Sequence, residues 1–263
     1  MKTILEFTRA KREQQPIVMI AVYDALMARL VAASPADALL VGDSVAMVVH
    51  GHPSTLHATT EMMALHVAAV RRGAPDRVIV ADMPFLTVRR GTAVAVAAAG
   101  QLMQAGATAV KVEGVAGHED VISHLVGSGI PVMGHLGLTP QSVHQLGGYR
   151  LQGRDAAGGA RLQEEAARLE ALGAFALVLE CMPASLAAEI TRARAIPTIG
   201  IGAGAGTDGQ VLVGSDLLGL DPSFQPRFVR RYLNGHELVG EAFERFARDV
   251  RTAQFPASAE VLA

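Results

Sequence analysis

Five ionisable side chains stand where short apolar runs of the sequence end. They are Asp43, Asp82, Glu113, His135 and Glu180. Each run is rich in Val, Ile and Leu and is flanked by Gly or Pro, which is typical of a strand buried on both faces of a parallel sheet. Ligands of parallel α/β folds bind where such strands end. The pattern predicts a metal site with a general base, and a small oxo-acid as the ligand.

Lys111 and Glu113 lie two residues apart in the run AVKVE. Because side chains alternate across a strand, both belong to the same face. A charged pair on the buried face of a strand must point toward the open end of the sheet. An ion pair with only a structural role is the alternative for these two residues.

Asp43 and Asp82 follow two successive strand candidates. Carboxylates suit a hard divalent cation, and Mg²⁺ is usually bound through one or two of them. Asp43 alone could equally cap a following helix. Its coincidence with Asp82 and Glu113 favours a metal site.

Glu180 and Cys181 are neighbours in LVLEC and therefore face opposite ways. Glu180 emerges from an apolar run, where desolvation would make it a suitable general base. Cys181 is interpreted as a small buried hydrophobic residue rather than as a nucleophile.

Two further motifs carry less weight. Residues 204–209 match G-x-G-x-x-G, but they follow a seventh strand instead of opening a first βαβ unit, so an anion-binding loop is favoured over a dinucleotide site. The histidines His50, His52 and His57 lack a clear helical pair or an accompanying cysteine. They are expected in a mobile loop rather than at a zinc ion.

The elements that must position these residues alternate between strands and helices. Eight strand candidates are predicted at residues 17–23, 38–43, 77–82, 109–113, 130–135, 175–180, 196–201 and 211–215. Helices are predicted at 3–13, 60–72, 92–105, 118–127, 161–172, 184–193 and within 224–251. The fold class is therefore an α/β parallel (β/α)₈ TIM barrel with an N-terminal helix before strand 1. Residues 136–160 form a long polar loop, typical of a lid or binding loop.

Length and composition favour one domain spanning residues 1–263, with a loosely ordered tail from about residue 253. A net charge of −2, with the basic residues scattered, argues against nucleic acid or a membrane as partner. Cys181 is the single cysteine, and the apolar run at 17–22 is too short for a signal peptide, so we expect a cytoplasmic protein. Half of the residues are hydrophobic, which suggests subunit contacts in a homo-oligomer.

Longer motifs resemble a known family over residues 3–251. They are VGDS at 41–44, GHPSTL at 51–56, VRRGAP at 70–75, ADMPF at 81–85, KVEG at 111–114, GHLGLTPQS at 134–142, GGYRLQGR at 147–154, LVLECMP at 177–183, and IGIGAG with TDGQ at 199–210. Together they resemble ketopantoate hydroxymethyltransferases. The resemblance implies a (β/α)₈ barrel, Mg²⁺, a decamer as a common state, and transfer of a one-carbon unit from 5,10-methylenetetrahydrofolate to 3-methyl-2-oxobutanoate.

The resemblance also implies residue roles. Asp43 and Asp82 would bind Mg²⁺ directly, with Glu113 binding nearby through water, and Glu180 would remove the proton from C3 of the substrate. The ion would stabilise the resulting enolate. The substrate-binding set that the motifs imply is Asp43, Ser44, Asp82, Lys111 and His135, of which Ser44 and Lys111 would bind the carboxylate.

Some positions depart from the family pattern. Val45 and Ala46 stand where Leu-Gly is common, Val88 replaces a common Tyr, and Pro53 replaces an acidic or amide residue. The chemical groups are kept while the walls of the pocket change, so the preferred 2-oxo acid is open.

Two other functions were weighed. One is a Mg²⁺-dependent aldolase or lyase of the phosphoenolpyruvate mutase and isocitrate lyase type, which typically carries a gating loop, sometimes with a cysteine, after strand 4. This chain has GVAGHED there. The other is a barrel that only binds a metabolite, against which the retained Glu180, Lys111 and aspartates argue.

Overall fold

The computed structural model describes residues 1–261 and contains eight parallel strands that close into a barrel in sequence order. The strands are β1 (Ile17–Ala21), β2 (Ala38–Val41), β3 (Val78–Asp82), β4 (Ala109–Glu113), β5 (Val132–Gly137), β6 (Ala176–Glu180), β7 (Thr198–Ile201) and β8 (Gly209–Val213). All eight predicted strands are present, and the barrel prediction is confirmed.

Helices separate most of the strands. They are α1 (Leu5–Arg12), α2 (Ala25–Ala32), α3 (Val45–Val48), α4 (Thr60–Gly73), α5 (Thr92–Gln104), α6 (Glu119–Gly127), α7 (Ala156–Ala171), α8 (Ala184–Ala193), α9 (Gly214–Leu217) and α10 (Gly235–Arg251). α7 begins five residues before the predicted start, because the Asp155 side chain accepts a hydrogen bond from Gly158 N and caps the helix there. In the 224–251 segment only Gly235–Arg251 is helical, and Pro226 lies in the non-helical part.

The predicted N-terminal helix is present and covers the base of the barrel. Phe7 of α1 is fully buried, and its ring lies edge-on to Phe175 at a centroid distance of 5.5 Å. Phe175 directly precedes β6, so this contact lies at the amino ends of the strands. The opposite end of the barrel is left for ligands.

The central strands are buried on both faces. Every residue of β2 and of β3 is buried, which confirms the interpretation of their apolar runs. Gly209, at the start of β8, shows how tightly the barrel closes: a Cβ there would lie 2.3 Å from the carbonyl oxygen of Ile17. Gly209 therefore permits close approach to β1, which gives this part of the G-x-G-x-x-G match a packing role.

The chain divides into two compact units, Met1–Leu212 and Val213–Ala263. Within the second unit, α10 carries large exposed apolar side chains at a helical spacing: Val239, Phe243, Phe246 and Val250. Such a stripe marks a surface suited to burial against another protein. No helix within residues 1–261 has the length and apolar character needed to cross a membrane.

Candidate active site

The predicted site residues converge at the carboxyl end of the barrel. The strand register pairs Asp82 with Lys111 and Glu113 with His135. Asp43 follows the end of β2 by two residues, and its backbone N–H donates to Asp82 Oδ2 at 3.1 Å. The barrel thus brings together side chains that lie far apart in the sequence.

Asp43 and Asp82 form a buried acidic pair, each 3 % exposed. Burial, with the neighbouring carboxylates of Asp82 and Glu113, raises the pKa of Asp43 well above its ordinary value. Burial also raises the pKa of Asp82, although the Lys111 ammonium opposes that shift. The cationic side chains of the protein therefore do not fully neutralise these two carboxylates.

Lys111 is the buried cation of the site. Its Nζ lies 3.2 Å from Asp82 Oδ1 and 3.0 Å from His135 Nδ1. Burial lowers the pKa of Lys111, but Asp82, Glu113 and the other site carboxylates outweigh burial and raise it above its ordinary value. Lys111 is therefore a permanent ammonium at neutral pH, suited to binding a substrate carboxylate.

His135 links Lys111 to Glu180. Burial and Lys111 lower the pKa of His135, yet the carboxylates of Glu113 and Glu180 raise it to about 9, which favours a cationic ring. The contact with Lys111 favours a neutral ring instead. An ammonium can only donate hydrogen bonds, so His135 Nδ1 must accept one from Lys111 Nζ. The direct contact with Lys111 therefore assigns the tautomer protonated on Nε2, which lies 3.1 Å from Glu180 Oε2.

Glu180 occupies the more open edge of the site, with its side chain 17 % exposed against 2 % for that of His135. Its backbone is fixed by β5: Leu138 N donates to the Glu180 carbonyl at 2.8 Å, and a Cβ on Gly137 would lie 2.1 Å from that oxygen. Cys181 adopts a left-handed backbone conformation, φ 44°. Cys181 is half-buried, so the prediction that it is buried is wrong. Burial and the adjacent Glu180 raise the pKa of its thiol to about 12, which agrees with its interpretation as a non-nucleophile.

Gln141 was missed by the sequence analysis and lies at the centre of the site. Its Nε2 donates to Asp43 Oδ2 at 2.8 Å and to the Met83 carbonyl at 2.9 Å, while its backbone N–H donates to Glu113 Oε2 at 3.0 Å. Gln141 belongs to the 3₁₀ turn Pro140–Ser142 in the long loop after β5. The loop that was predicted to be a lid or binding loop thus contacts two of the site carboxylates.

Tyr23 was also missed. It follows β1, and its hydroxyl lies 2.7 Å from Ser44 Oγ, where either oxygen can donate. Tyr23 follows the end of β1 as Asp43 follows the end of β2, so its position was an available signal, whereas Gln141 lies farther along the loop after β5.

The oxygen donors fit a hard divalent cation. Two buried carboxylate oxygens, Asp82 Oδ1 and Glu113 Oε1, have no hydrogen-bond partner in residues 1–261. Counted as ionised, the four site carboxylates carry four negative charges against the single positive charge of Lys111, since His135 is assigned as neutral. The same part of the chain contains no group of three or more His, Cys, Asp or Glu side chains arranged to hold a metal. Two direct carboxylate ligands with water completing the shell is the arrangement that Mg²⁺ commonly adopts.

The departures from the family pattern lie close to these residues. Val45 and Ala46 are fully buried at the start of α3, directly after Ser44. Val88 is buried in the 3₁₀ turn Thr87–Arg89 after β3, whereas Pro53 is exposed. Val45 and Ala46 therefore alter packing next to Ser44, and Val88 alters packing in the turn after β3.

The sequence model of the ketopantoate hydroxymethyltransferase family matches residues 1–258. The chain belongs to this family. It is 51 % identical over 260 residues to the 3-methyl-2-oxobutanoate hydroxymethyltransferase of Bdellovibrio bacteriovorus, with 99 % of each chain covered. It is 50 % identical over 256 residues to the enzyme of that name from Legionella pneumophila strain Paris, covering 97 % of this chain and 98 % of that one.

Among solved structures, the barrel resembles a phosphonopyruvate hydrolase determined in complex with oxalate and Mg²⁺. The TM-score is 0.66 at 12 % identity, with 99 % of this chain and 93 % of that chain covered. At this identity the likeness concerns the fold alone. The hydroxymethyltransferase family therefore shares its barrel with enzymes that catalyse other reactions.

Proposed function

We propose that the protein is a hydroxymethyltransferase that converts 3-methyl-2-oxobutanoate to 2-dehydropantoate (ketopantoate), with 5,10-methylenetetrahydrofolate as the one-carbon donor. This reaction belongs to pantothenate and coenzyme A biosynthesis. The observation that carries the proposal is a buried acidic pair, Asp43 and Asp82, with Lys111 beside it and Glu180 at the open edge. Relatives about half identical over nearly their whole length bear the name of this activity.

Asp43 and Asp82 would bind Mg²⁺ directly, and Glu113 would bind it through a water molecule. The raised pKa values of the two aspartates support this assignment, as does Asp82 Oδ1, which accepts no hydrogen bond within residues 1–261 although Lys111 Nζ lies 3.2 Å away. When bound, the ion supplies a Lewis acid that stabilises negative charge on the 2-oxo oxygen.

Lys111 and Ser44 would bind the carboxylate of the 2-oxo acid. The ammonium of Lys111 is held in place by Asp82 and His135, so it needs little reorganisation when the anion arrives. Tyr23 fixes the Ser44 hydroxyl at 2.7 Å. Together these contacts would orient C3 of the substrate toward Glu180.

Glu180 would act as the general base. Its carboxylate would remove the proton from C3, and the electron pair of that C–H bond would delocalise onto the 2-oxo oxygen as an enolate. Water would hydrolyse both carbon–nitrogen bonds of the folate-borne methylene, with its two hydrogens passing to the two nitrogens. C3 would then attack the carbon of the released formaldehyde, whose oxygen would take the proton held by Glu180 and become the product hydroxyl. His135 Nε2 lies beside the base, 3.1 Å from Glu180 Oε2, although the two are not aligned for a hydrogen bond.

Exchange of the C3 proton in D₂O, followed by NMR, tests this assignment without folate. We expect Glu180→Gln to bind the oxo-acid and Mg²⁺ while exchange falls by roughly 10²- to 10⁴-fold, because an amide cannot accept the proton. The matched control is Glu164→Gln, an exposed position on α7. Exchange at the wild-type rate in Glu180→Gln would assign the base to another residue, and absence of folate-dependent product from the wild type would overturn the function.

We expect the protein to act in the cytoplasm as a homo-oligomer, with a decamer favoured by the family resemblance. The exposed apolar stripe of α10, which includes Phe243 and Phe246, supports burial against another copy of the chain.

A further inference from the structure

His66 connects helix α4 to the active site through Tyr23. The His66 Nδ1 atom lies 2.6 Å from the carbonyl oxygen of Tyr23. A carbonyl oxygen can only accept a hydrogen bond, so His66 Nδ1 carries the proton and donates. At the other end of the same residue, the Tyr23 hydroxyl lies 2.7 Å from Ser44 Oγ. Tyr23 is therefore held at its backbone by α4 and at its hydroxyl by Ser44.

His50 fixes the protonation of the His66 ring. The Nε2 atoms of the two rings lie 2.9 Å apart, which is a hydrogen-bond distance. Because the neutral His66 ring carries its proton on Nδ1, its Nε2 accepts and His50 Nε2 donates. A hydrogen bond at one ring nitrogen sets which tautomer a histidine adopts. His50 therefore favours the tautomer of His66 that donates to Tyr23.

Tyr23 lies in the connection between β1, which ends at Ala21, and α2, which begins at Ala25. Outside a strand or a helix, no repeating ladder of backbone hydrogen bonds holds a residue, so single side-chain contacts have more influence on its position. Tyr23 is also buried, so its ring follows a shift of its backbone. The contact with His66 therefore helps to set where the Tyr23 hydroxyl lies.

From these contacts we infer that His66 is a positioning residue for the 2-oxo acid and acts through Tyr23 and Ser44. The inference rests on the proposed function, in which Ser44 binds the substrate carboxylate. When the Ser44 hydroxyl donates to that carboxylate, its oxygen accepts from the Tyr23 O–H, 2.7 Å away. His66 thus supports a hydroxyl that orients the substrate, although His66 touches neither the substrate nor Mg²⁺.

The expected effect is on substrate binding rather than on proton removal. Loss of one neutral hydrogen bond changes an equilibrium by roughly 2- to 10-fold. Ser44 would contact the carboxylate, whereas the charge that develops during enolisation lies on the 2-oxo oxygen. A contact that is equally strong before and during the reaction changes KM and leaves kcat unchanged.

Two amide replacements separate the two contacts of His66. Asn can still donate to the Tyr23 carbonyl, because its amide nitrogen takes the place of Nδ1, whereas the longer Gln reaches the position of Nε2 beside His50. We measure kcat and KM of folate-independent C3 proton exchange by NMR, with 3-methyl-2-oxobutanoate in saturating Mg²⁺. KM should rise by roughly 2- to 10-fold in His66→Gln and stay close to the wild-type value in His66→Asn.

His57→Gln is the matched control. His57 belongs to the 3₁₀ turn Thr55–His57, between α3 and α4, and its Nδ1 lies 3.3 Å from both Ser54 Oγ and the Ser54 carbonyl. Its replacement removes a histidine from the same region without affecting Tyr23, so KM should remain unchanged.

A purely structural role for His66 predicts the opposite order of the two variants. Gln has a higher helix propensity than Asn, so a loss of α4 stability would harm His66→Asn more. In a Ser44→Ala background, the effect of His66→Gln on KM should disappear, because residues that act through one shared contact are not additive.

The inference would be overturned by an unchanged KM in His66→Gln, by the same rise in both amide variants, or by a full effect in the Ser44→Ala background. Tyr23→Phe leaves α4 unchanged and decides the outcome where His66→Gln fails to fold, since an unchanged KM there excludes action through the Tyr23 hydroxyl. Absence of C3 exchange in the wild type would overturn the proposed function instead. Calorimetric binding of the oxo-acid to the same variants would then still decide the role of His66.

Discussion

Gln141→Ala should weaken Mg²⁺ binding although this residue would not touch the ion. The change removes the amide that donates to Asp43 Oδ2 at 2.8 Å and to the Met83 carbonyl at 2.9 Å, and it keeps the backbone N–H that Glu113 accepts. Asp43 would then be free to rotate away from the orientation that faces the ion.

The magnitude follows from two independent estimates. A hydrogen bond to a charged group contributes about 1.5–3 kcal/mol. Loss of a partner that orients a metal ligand costs about 10- to 100-fold in metal affinity, which is about 1.4–2.7 kcal/mol. The two ranges agree, so we expect the dissociation constant for Mg²⁺ to rise by roughly 10- to 100-fold.

Calorimetric titration of Mg²⁺ into the wild type, Gln141→Ala and Gln152→Ala provides the measurement. Gln152 is a glutamine of the same loop whose amide donates to the exposed carbonyl of Arg150 at 2.9 Å, and its loss should leave Mg²⁺ affinity unchanged. Equal affinities in the two variants would refute the view that Gln141 positions Asp43.

Three other predictions concern pH, substrate range and assembly. In EDTA, burial and the carboxylates of Asp82 and Glu113 keep the pKa of Asp43 raised in the native state. Between the unfolded pKa of about 3.9 and the raised native pKa, the native state therefore binds more protons than the unfolded state. Across this range the free energy of unfolding falls by up to about 1.4 kcal/mol for each unit that the pH rises. Urea titrations should show a shallower fall in Asp43→Asn, and parallel pH profiles would contradict this reasoning. Val88→Tyr should raise the ratio of kcat/KM for 3-methyl-2-oxobutanoate to that for 3-methyl-2-oxopentanoate by about tenfold, since a methylene in an apolar pocket contributes about 1–3 kcal/mol. The same strong preference in both proteins would make Val88 a neutral replacement. Phe243→Glu should lower the mass measured by light scattering, because it places a charge on the exposed stripe of α10; a monomeric wild type at micromolar concentration would exclude the oligomer.

The strands were predictable because a parallel barrel demands apolar residues on both faces. The fully buried run of β2 has no equivalent among the helices, whose apolar residues recur with a helical period. α2 was harder to recognise, since Leu26 and Leu30 are exposed on a helix that also buries Val31, and its apolar residues therefore mark no single face.

The site was predictable where strands deliver the side chains. Alternation places Lys111 and Glu113 on one face, and the structure brings both to His135. Gln141 could not be assigned in this way, because its contacts with Asp43 and Glu113 depend on the path of an irregular loop across the barrel mouth. The sequence carries strand register through periodicity, but it carries no comparable signal for a loop.

The close packing of Gly137 against the Glu180 carbonyl limits how this enzyme can evolve. A Cβ at residue 137 would lie 2.1 Å from that oxygen, so a side chain there would force β5 and β6 apart. Shortening Glu180 to Asp would withdraw the carboxylate by about 1.5 Å, and a compensating shift of the main chain would disturb this contact. New reactions would therefore arise through changes in the surrounding loops, while the distance of the Glu180 carboxylate from its own backbone stays the same.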